Sequence, residues 1–563
     1  MTQRVFETGG VQRRTLLAGA AAVAGVAALG GGTAVAATQA RYRRHNVASP
    51  EGAKMLESYK KAIVAMLALP PDDPRNWYRH ALTHTIDCPH GNWWFVVWHR
   101  GYVGWFEQVC RDLSGDPDFA FPYWDWTANP QVPAVMFDGV LNPNDPAYIP
   151  SLAAFNAQYG PVLDKFWDGL TPAQTGQLLI RGLRFPADLL FDIGPKGGPM
   201  FFPQGSARGS TQAKPGFDDI TNNAVSPWML DNALAPRDFI GFASPKTFYH
   251  GSITGFGVLE GQPHNKVHNC TGGIWTDPNG QTTYGDGFMQ SNLSPVDPLF
   301  FLHHSNIDRL WDVWTRKQQG YGYPTLPDNN PSALDPKGDL GRWQSEPFLF
   351  FSDAKGQVLP PQKQLAGYYA TIGEFDYDYQ PGSGEQVVPP APPTPRKLKA
   401  VAAAPSQQFA GTLKVAGKTS LGAADVAVPT ALLTQAAQPN GPRLFATITV
   451  ELSPFEHGQD LAVLINTPEG QAFDAKSPGF VTTLSMFGNH VVQRPVTFMV
   501  PLSKPLAALS GQKLLRANQP LSIRVARLGS GGPKPMMLHT HGLAASGATT
   551  STAQVVSIVI ESH

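Results

Sequence analysis

The sequence predicts a mainly α, loop-rich core followed by a C-terminal all-β, sandwich-like domain. Three observations carry this. Apolar residues recur at helical spacing within 53–68, and further helices are expected over 98–113 and 303–314. A Pro/Ala-rich run, VPPAPPTPRKLKAVAAAP, occupies 388–405. Beyond it come short β-branched runs separated by turn residues. The chain has 563 residues, more than one ordinary domain holds. With 42% hydrophobic and 15% charged residues, it can bury a large core, which excludes global disorder. Lys+Arg and Asp+Glu both total 43, so nothing suggests a nucleic-acid groove. Three cysteines in so long a chain exclude a disulfide scaffold and a Cys-rich metal fold.

Taken in order, residues 1–36 read as a twin-arginine export signal. Arg13 and Arg14 precede an Ala/Gly/Leu/Val run to Leu29, and Ala34-Val35-Ala36 offers a small-x-small cleavage site. The alternative, a permanent N-terminal anchor, is weakened because the run is short and Gly-rich. Export would end in the periplasm or the medium, with no membrane association after signal removal. Residues 37–387 form the predicted catalytic domain. Within it Met55, Tyr59, Ile63, Met66 and Leu67 fall on one helical face, and 193–216 reads as an ordered loop or a disorder-prone insertion. Residues 388–405 have the composition of a semi-rigid linker. In 406–563, the runs 444–452, 461–466, 480–486, 496–502, 521–527 and 555–560 are the expected strands.

The chemistry is concentrated in histidines. One cluster holds His80, His84, His90 and His99, and the other holds His264, His268, His303 and His304. His264 and His268 are four apart, so on a helix both rings project from one face and can share an ion, with His304 as a third nitrogen. His84, His90 and His99 offer a second three-nitrogen set. Imidazole-only sites suit copper, zinc or nickel. A zinc hydrolase is disfavoured because Asn265 stands where its general-base Glu would follow the first His.

These blocks resemble the copper-A and copper-B signatures of the type-3 copper family, which comprises tyrosinases, catechol oxidases and molluscan-type haemocyanins. The resemblance rests on Cys88-Pro89-His90, on Trp98-His99-Arg100, on HNKVH at 264–268 and on DPLFFLHHSNIDRLW at 297–311, and it covers about residues 50–380. Tyr377-Asp378-Tyr379 is similar to the Tyr-x-Tyr motif that closes such cores. The resemblance implies two copper ions, held by His84, His90 and His99 and by His264, His268 and His304. His303 would then pack beside the ligands. His80, four before His84, is the competing first ligand. Cys88 would form a thioether to His90 that preorganises the ring. Glu260 and Asn265 would orient a water that deprotonates a monophenol. Asp308 would orient an imidazole or pair with Arg309.

The implied activity is o-hydroxylation of monophenols and oxidation of o-diphenols to o-quinones with O2. The alternatives are a catechol oxidase, an o-aminophenol oxidase, or a haemocyanin-like O2 carrier. The partners are a phenolic small molecule and O2, with no nucleic acid; homo-oligomerisation is left open. LAVLIN, FVTTLSMFGNH and the final VVSIVIES run are similar to the shielding domain of plant polyphenol oxidases. That implies latency, with Phe455 or Phe487 as the residue inserted near copper A. A passive sandwich is the alternative. Met536-Met537-Leu538-His539-Thr540-His541 is a candidate cuprous-ion loading motif, equally explained as a solvated strand.

Overall fold

The computed structural model describes residues 40–193, 202–203, 205–277, 282–283, 285, 287–333, 335–390, 407–414, 420–451, 461–487, 495–528 and 553–562. The twin-arginine segment, most of the 388–405 run, Phe455 and the Met536–His541 motif lie outside them.

Helix α1 (Pro50–Ala68) starts at Ser49, whose side chain accepts the Gly52 N–H, with proline in the first turn. Its buried face is Leu56, Tyr59, Ala62, Ile63 and Met66. Met55 and Leu67, expected on that stripe, sit at its margin, only partly buried. Helix α2 (Trp77–Asp87) is capped by Asn76, which accepts the Tyr78 N–H at 2.9 Å. Helix α3 (Phe95–Ser114) extends the expected 98–113 helix by one turn at its start and ends on Gly115 in the left-handed region. The expected 303–314 helix is longer, Leu299–Tyr321. It packs on α3, and at the crossing the Phe106 and Phe301 rings stack at 3.7 Å. A Cβ at Gly104 would lie 2.3 Å from the Phe375 ring, so this glycine lets the 369–375 segment close over α3.

Strands β1 (Tyr42–Arg44) and β2 (Gly255–Phe256) lie before the second histidine cluster. β3 (Trp275–Thr276) and β4 (Thr282–Thr283) form a short ladder after it, and β5 (Tyr377–Tyr379) pairs with β1 in parallel. The C-terminal region supplies β6 (Gln408–Lys414), β7 (Ser420–Val426), β8 (Leu444–Glu451), β9 (Leu461–Ile465), β10 (Phe480–Leu484), β11 (Val496–Pro501), β12 (Leu521–Arg527) and β13 (Gln554–Ser562). These run in the order β10-β9-β12-β7-β6-β13-β8-β11-β2. The six expected runs all fall on strands. β6 and β7 were not anticipated, because QFAGTLK and SLGAADV carry few β-branched residues. β8 alternates buried and half-buried positions after its start, with one face on an aliphatic core of Ile448, Val450, Val463, Ile523 and Ile558. The sheet curls, bringing β10 against β11.

One pairing determines where the sheet lies. β2 adds to β11 in parallel, with Gly255 opposite Thr497 and Phe256 opposite Phe498, and the two phenylalanine rings stack at 5.3 Å. Four residues after β2 begins the Glu260–His264 turn, so the sheet edge is anchored beside the second histidine cluster. Tyr42–His563 packs as one compact unit. Among the described residues no helix is long and apolar enough to cross a membrane.

Candidate metal centre

Each histidine set is presented by helices whose other faces are fixed in the aromatic core. His84 is on α2, His99 on α3, and His90 in the link between them. Glu260–His264 is a single π-helical turn running into the Asn265–Gly272 helix, which carries His268. His303 and His304 lie on the Leu299–Tyr321 helix.

The structure brings His84, His90 and His99 together, with ring centroids 5.3 to 5.6 Å apart. His80 stays outside, its ring edge-on to Phe106 at 4.8 Å, so of the two competitors His84 faces the cluster. His264, His268, His303 and His304 converge so that one ligand atom from each falls within 4.8 Å of the others. His303 is therefore closer than a merely neighbouring residue. Its Nδ1 accepts the Trp126 Nε1–H at 3.2 Å. The two sets meet where His99 stacks on His304 at 4.2 Å.

Backbone carbonyls fix the tautomers. His84 Nδ1 faces Asn292 O at 2.8 Å, His99 Nδ1 faces Phe95 O at 2.8 Å, and His268 Nδ1 faces Met289 O at 2.6 Å. His264 Nδ1 donates to Asn265 Oδ1 at 2.8 Å. A proton held on Nδ1 leaves Nε2 as a lone pair aimed inward. Nε2 of His99 and of His264 is buried without a hydrogen-bond partner, and the Nε2 atoms of His268 and His304 stand 3.1 Å apart. Burial, then neighbouring imidazoles, holds His99, His268 and His304 well below the usual histidine range, and burial holds His264 at about 3. Neutral, convergent, all-nitrogen donors fit a soft-to-borderline cation such as copper.

Cys88 Sγ lies 3.4 Å from His90 Nδ1. Glu260 is fully buried. Its Oε1 accepts the Gly91 N–H at 2.7 Å and its Oε2 the Ser244 hydroxyl at 2.5 Å, tying the His90 loop to the π turn. Burial holds this carboxyl well above the usual range. Asn265, beyond its bond to His264, donates Nδ2 to Ser485 O at 2.8 Å.

That bond belongs to a larger contact. Gln262 donates to Thr483 O at 3.2 Å and accepts from Thr482 Oγ1 at 2.6 Å. Lys266 Nζ bonds the Thr483 and Ser485 hydroxyls, and Asn269 donates to Met486 O at 3.3 Å. Clamped in this way, the end of β10 drives Phe487 between the histidines. Its ring centroid is 4.1 Å from His268, 4.8 Å from His90, 5.5 Å from His264 and 6.3 Å from His84.

Two arrangements differ from, or add to, the sequence expectation. Asp308 pairs not with Arg309 but with Arg100 at 2.6 Å and Arg44 at 3.1 Å, and it accepts the hydroxyls of Tyr377 and Tyr379. Arg309 instead donates to Asn306 and Ser383. His250, unremarked in the sequence, bridges Asp87 at 3.0 Å and Glu346 at 2.7 Å. Burial opposes its charge, yet the two carboxylates raise its pKa. Asp87 also accepts the Trp98 indole N–H at 2.7 Å, and Arg181 donates to Cys88 O at 2.7 Å, so the loop bearing His90 is braced from behind.

Residues 73–317 match the tyrosinase family model, described as the common central domain of tyrosinase. The chain is 28% identical over 297 residues to a chloroplastic polyphenol oxidase of Spinacia oleracea, covering 49% of this chain and 40% of that one. It is 29% identical over 279 residues to (+)-larreatricin hydroxylase of Larrea tridentata, covering 46% and 38%. The chain thus spans about 40% of the length of these curated relatives. Among solved structures, latent aurone synthase, a polyphenol oxidase, is similar with a TM-score of 0.51 at 15% identity over 93% of this chain and 90% of that one. Latent apple tyrosinase is similar with a TM-score of 0.51 at 19% identity over 87% and 95%. At those identities the likeness is one of fold.

Proposed function

The chain belongs to the type-3 copper family of tyrosinases and polyphenol oxidases, and from that premise we propose that it is a copper-dependent phenol oxidase held latent by Phe487. His84, His90 and His99 would hold one copper, and His264, His268 and His304 the other. The observation that carries this reading is the pair of buried, partnerless Nε2 atoms on His99 and His264, each on a ring whose Nδ1 is already engaged. A bound copper pair supplies the electron-transfer chemistry that couples phenol oxidation to reduction of O2.

The protein's own part is orientation and exclusion of water. Phe300, 4.1 Å from His304 and 5.0 Å from His84, and Phe95, 4.6 Å from His264, wall the slot with apolar rings. Phe487 fills the place a planar phenol needs, so substrate enters only when the end of β10 withdraws. That withdrawal also releases the Asn265 amide from Ser485 O. The freed amide and Glu260 then orient a water that takes the proton of a monophenol, giving hydroxylation followed by oxidation to the o-quinone. A second reading is favoured by the Glu260 contacts: both of its oxygens are engaged by Gly91 and Ser244, which suits a catechol oxidase whose carboxylate only braces the His90 loop. The 3.4 Å approach of Cys88 Sγ to His90 supports a thioether at that ring. Residues 1–36 are read as a twin-arginine signal, placing the mature protein in the periplasm or the medium.

Copper analysis with O2 uptake on a tyrosine-like monophenol and on catechol, before and after limited proteolysis, tests the proposal. Two coppers per chain and a rate that rises on proteolysis are expected. One metal per chain, or no uptake with catechol in either state, rules the oxidase out.

A further inference from the structure

The face of α2 opposite His84 borders a cavity of about 150 Å³. Arg79, Leu82 and Ile86 recur at helical spacing along that face, so they point away from the histidine clusters. Leu163 and Phe166 of the Leu152–Asp168 helix, with Leu189 and Phe351, add apolar walls, and the exposed Pro74 and Val358 stand at the rim. Among the described residues Arg79 is the only charged one in the lining. Its guanidinium lies over the Phe166 ring at 5.0 Å, and its Nε is buried without a hydrogen-bond partner. Among the described residues no carboxylate pairs with it. Asp72, the acid whose field reaches it, is exposed and stands 3.9 Å from Lys165 instead. Burial therefore holds Arg79 below the usual arginine range. The polar side chains beside it are already engaged: the Thr83 hydroxyl donates to Arg79 O at 3.2 Å, and Gln174 Nε2 donates to Leu349 O at 3.1 Å. A largely buried cation without a counter-charge is costly, and a mostly apolar pocket with one such group has the character of a small-ligand site.

We propose that this cavity binds a small monocarboxylate with a compact apolar body, its carboxylate paired to Arg79. An apolar cavity of about 150 Å³ admits a benzene-sized ring, which sets the size of the body. The carboxylate gives the guanidinium the charge-assisted bonds it lacks, whereas a neutral amide of the same shape forgoes the charge and an amine meets like charge. The site is distinct from the phenol slot and does not rest on the oxidase reading. Its occupant braces α2 from behind the seat of His84.

Titration calorimetry on the full-length, copper-loaded chain tests this with cyclohexanecarboxylate and its primary amide, neither of which is a phenol. The parent should bind the carboxylate about tenfold more tightly than the amide, and the carboxylate should raise the melting temperature. Arg79→Gln should abolish the preference, and Arg79→Lys, which keeps the charge, should retain it. Among the described residues the guanidinium makes no hydrogen bond, so unliganded Arg79→Gln should melt close to the parent. Equal affinity of the parent for the two compounds, or no heat with either, overturns the site without recourse to any variant. A carboxylate preference unmoved in Arg79→Gln places the ion elsewhere, on copper or on the surface, and overturns it as well.

Discussion

The Phe487 ring lies 4.1 Å, centroid to centroid, from the His268 ring and 4.8 Å from that of His90. One apolar side chain therefore touches both histidine sets, on a segment hydrogen-bonded to the helix that carries one of them. Phe487→Ala empties the slot without cutting the Gln262 and Asn269 bonds to the strand. The untreated full-length variant should oxidise catechol several-fold faster than the untreated parent, by O2 uptake, and proteolysis should add little more. An untreated rate no higher than the parent's would remove Phe487 as the plug.

What the sequence made legible here was set by local spacing. HNKVH places two rings on one helical face, and in FFLHH adjacent histidines on a buried helix both stay near the cluster, so the second set could be read from short motifs. His84 over His80 was harder, because a spacing of four allows either, and only the packing of His80 on Phe106 separates them. Asp308 is the instructive case: Arg309 is its chain neighbour, but helical geometry turns adjacent residues about 100° apart. Its true partners, Arg44 and Arg100, arrive from β1 and α3. The union of β2 with β11 and the His250 bridge depend on contacts across long stretches of chain, which periodicity does not encode.

Glu260→Gln keeps size and one acceptor, and the Ser244 hydroxyl can turn to accept from the new amide, so the π turn and the His90 loop should survive. If the carboxylate serves proton removal, monophenol turnover falls about tenfold more than diphenol turnover. Paired rates on a monophenol and its catechol measure this. An equal fall on both confines Glu260 to bracing Gly91.

Copper and the second histidine set should be separable by stoichiometry. Loading should raise the melting temperature, because an ion bound only by the folded chain stabilises it by about 2.7 kcal/mol at a hundredfold excess over Kd. His264→Ala should lower bound copper from two ions per chain to one and remove part of that gain. His80→Ala should leave the copper content unchanged. Metal analysis with calorimetry reads both, and a loss of copper in the His80 variant would reverse the assignment of the first ligand.

Asp308 is the charged knot of the core. Its carboxylate, 2% exposed, joins Arg100 on α3 and Arg44 on β1, and it receives both phenols of β5. Burial alone would raise its pKa; Arg100 and Arg44, helped by the two phenols, outweigh that and hold it below the usual carboxylate range. Asp308→Asn leaves the buried Arg100 guanidinium without its carboxylate, while Arg44 keeps Glu107 at 2.9 Å; removing one partner of a buried pair costs about 3–5 kcal/mol, so a large fall in melting temperature is expected. The pH dependence follows from the direction of the shift. The unfolded carboxyl titrates near about 3.9 and the folded one lower, so the unfolded chain binds more protons between the two values. The stabilisation is complete above the unfolded value and is lost as pH falls through the folded one. Urea denaturation from pH 7 down to pH 3 should therefore show the parent losing stability at the acid end along a limb that is shallower in Asp308→Asn, and parallel curves would show that the carboxylate titrates alike in both states.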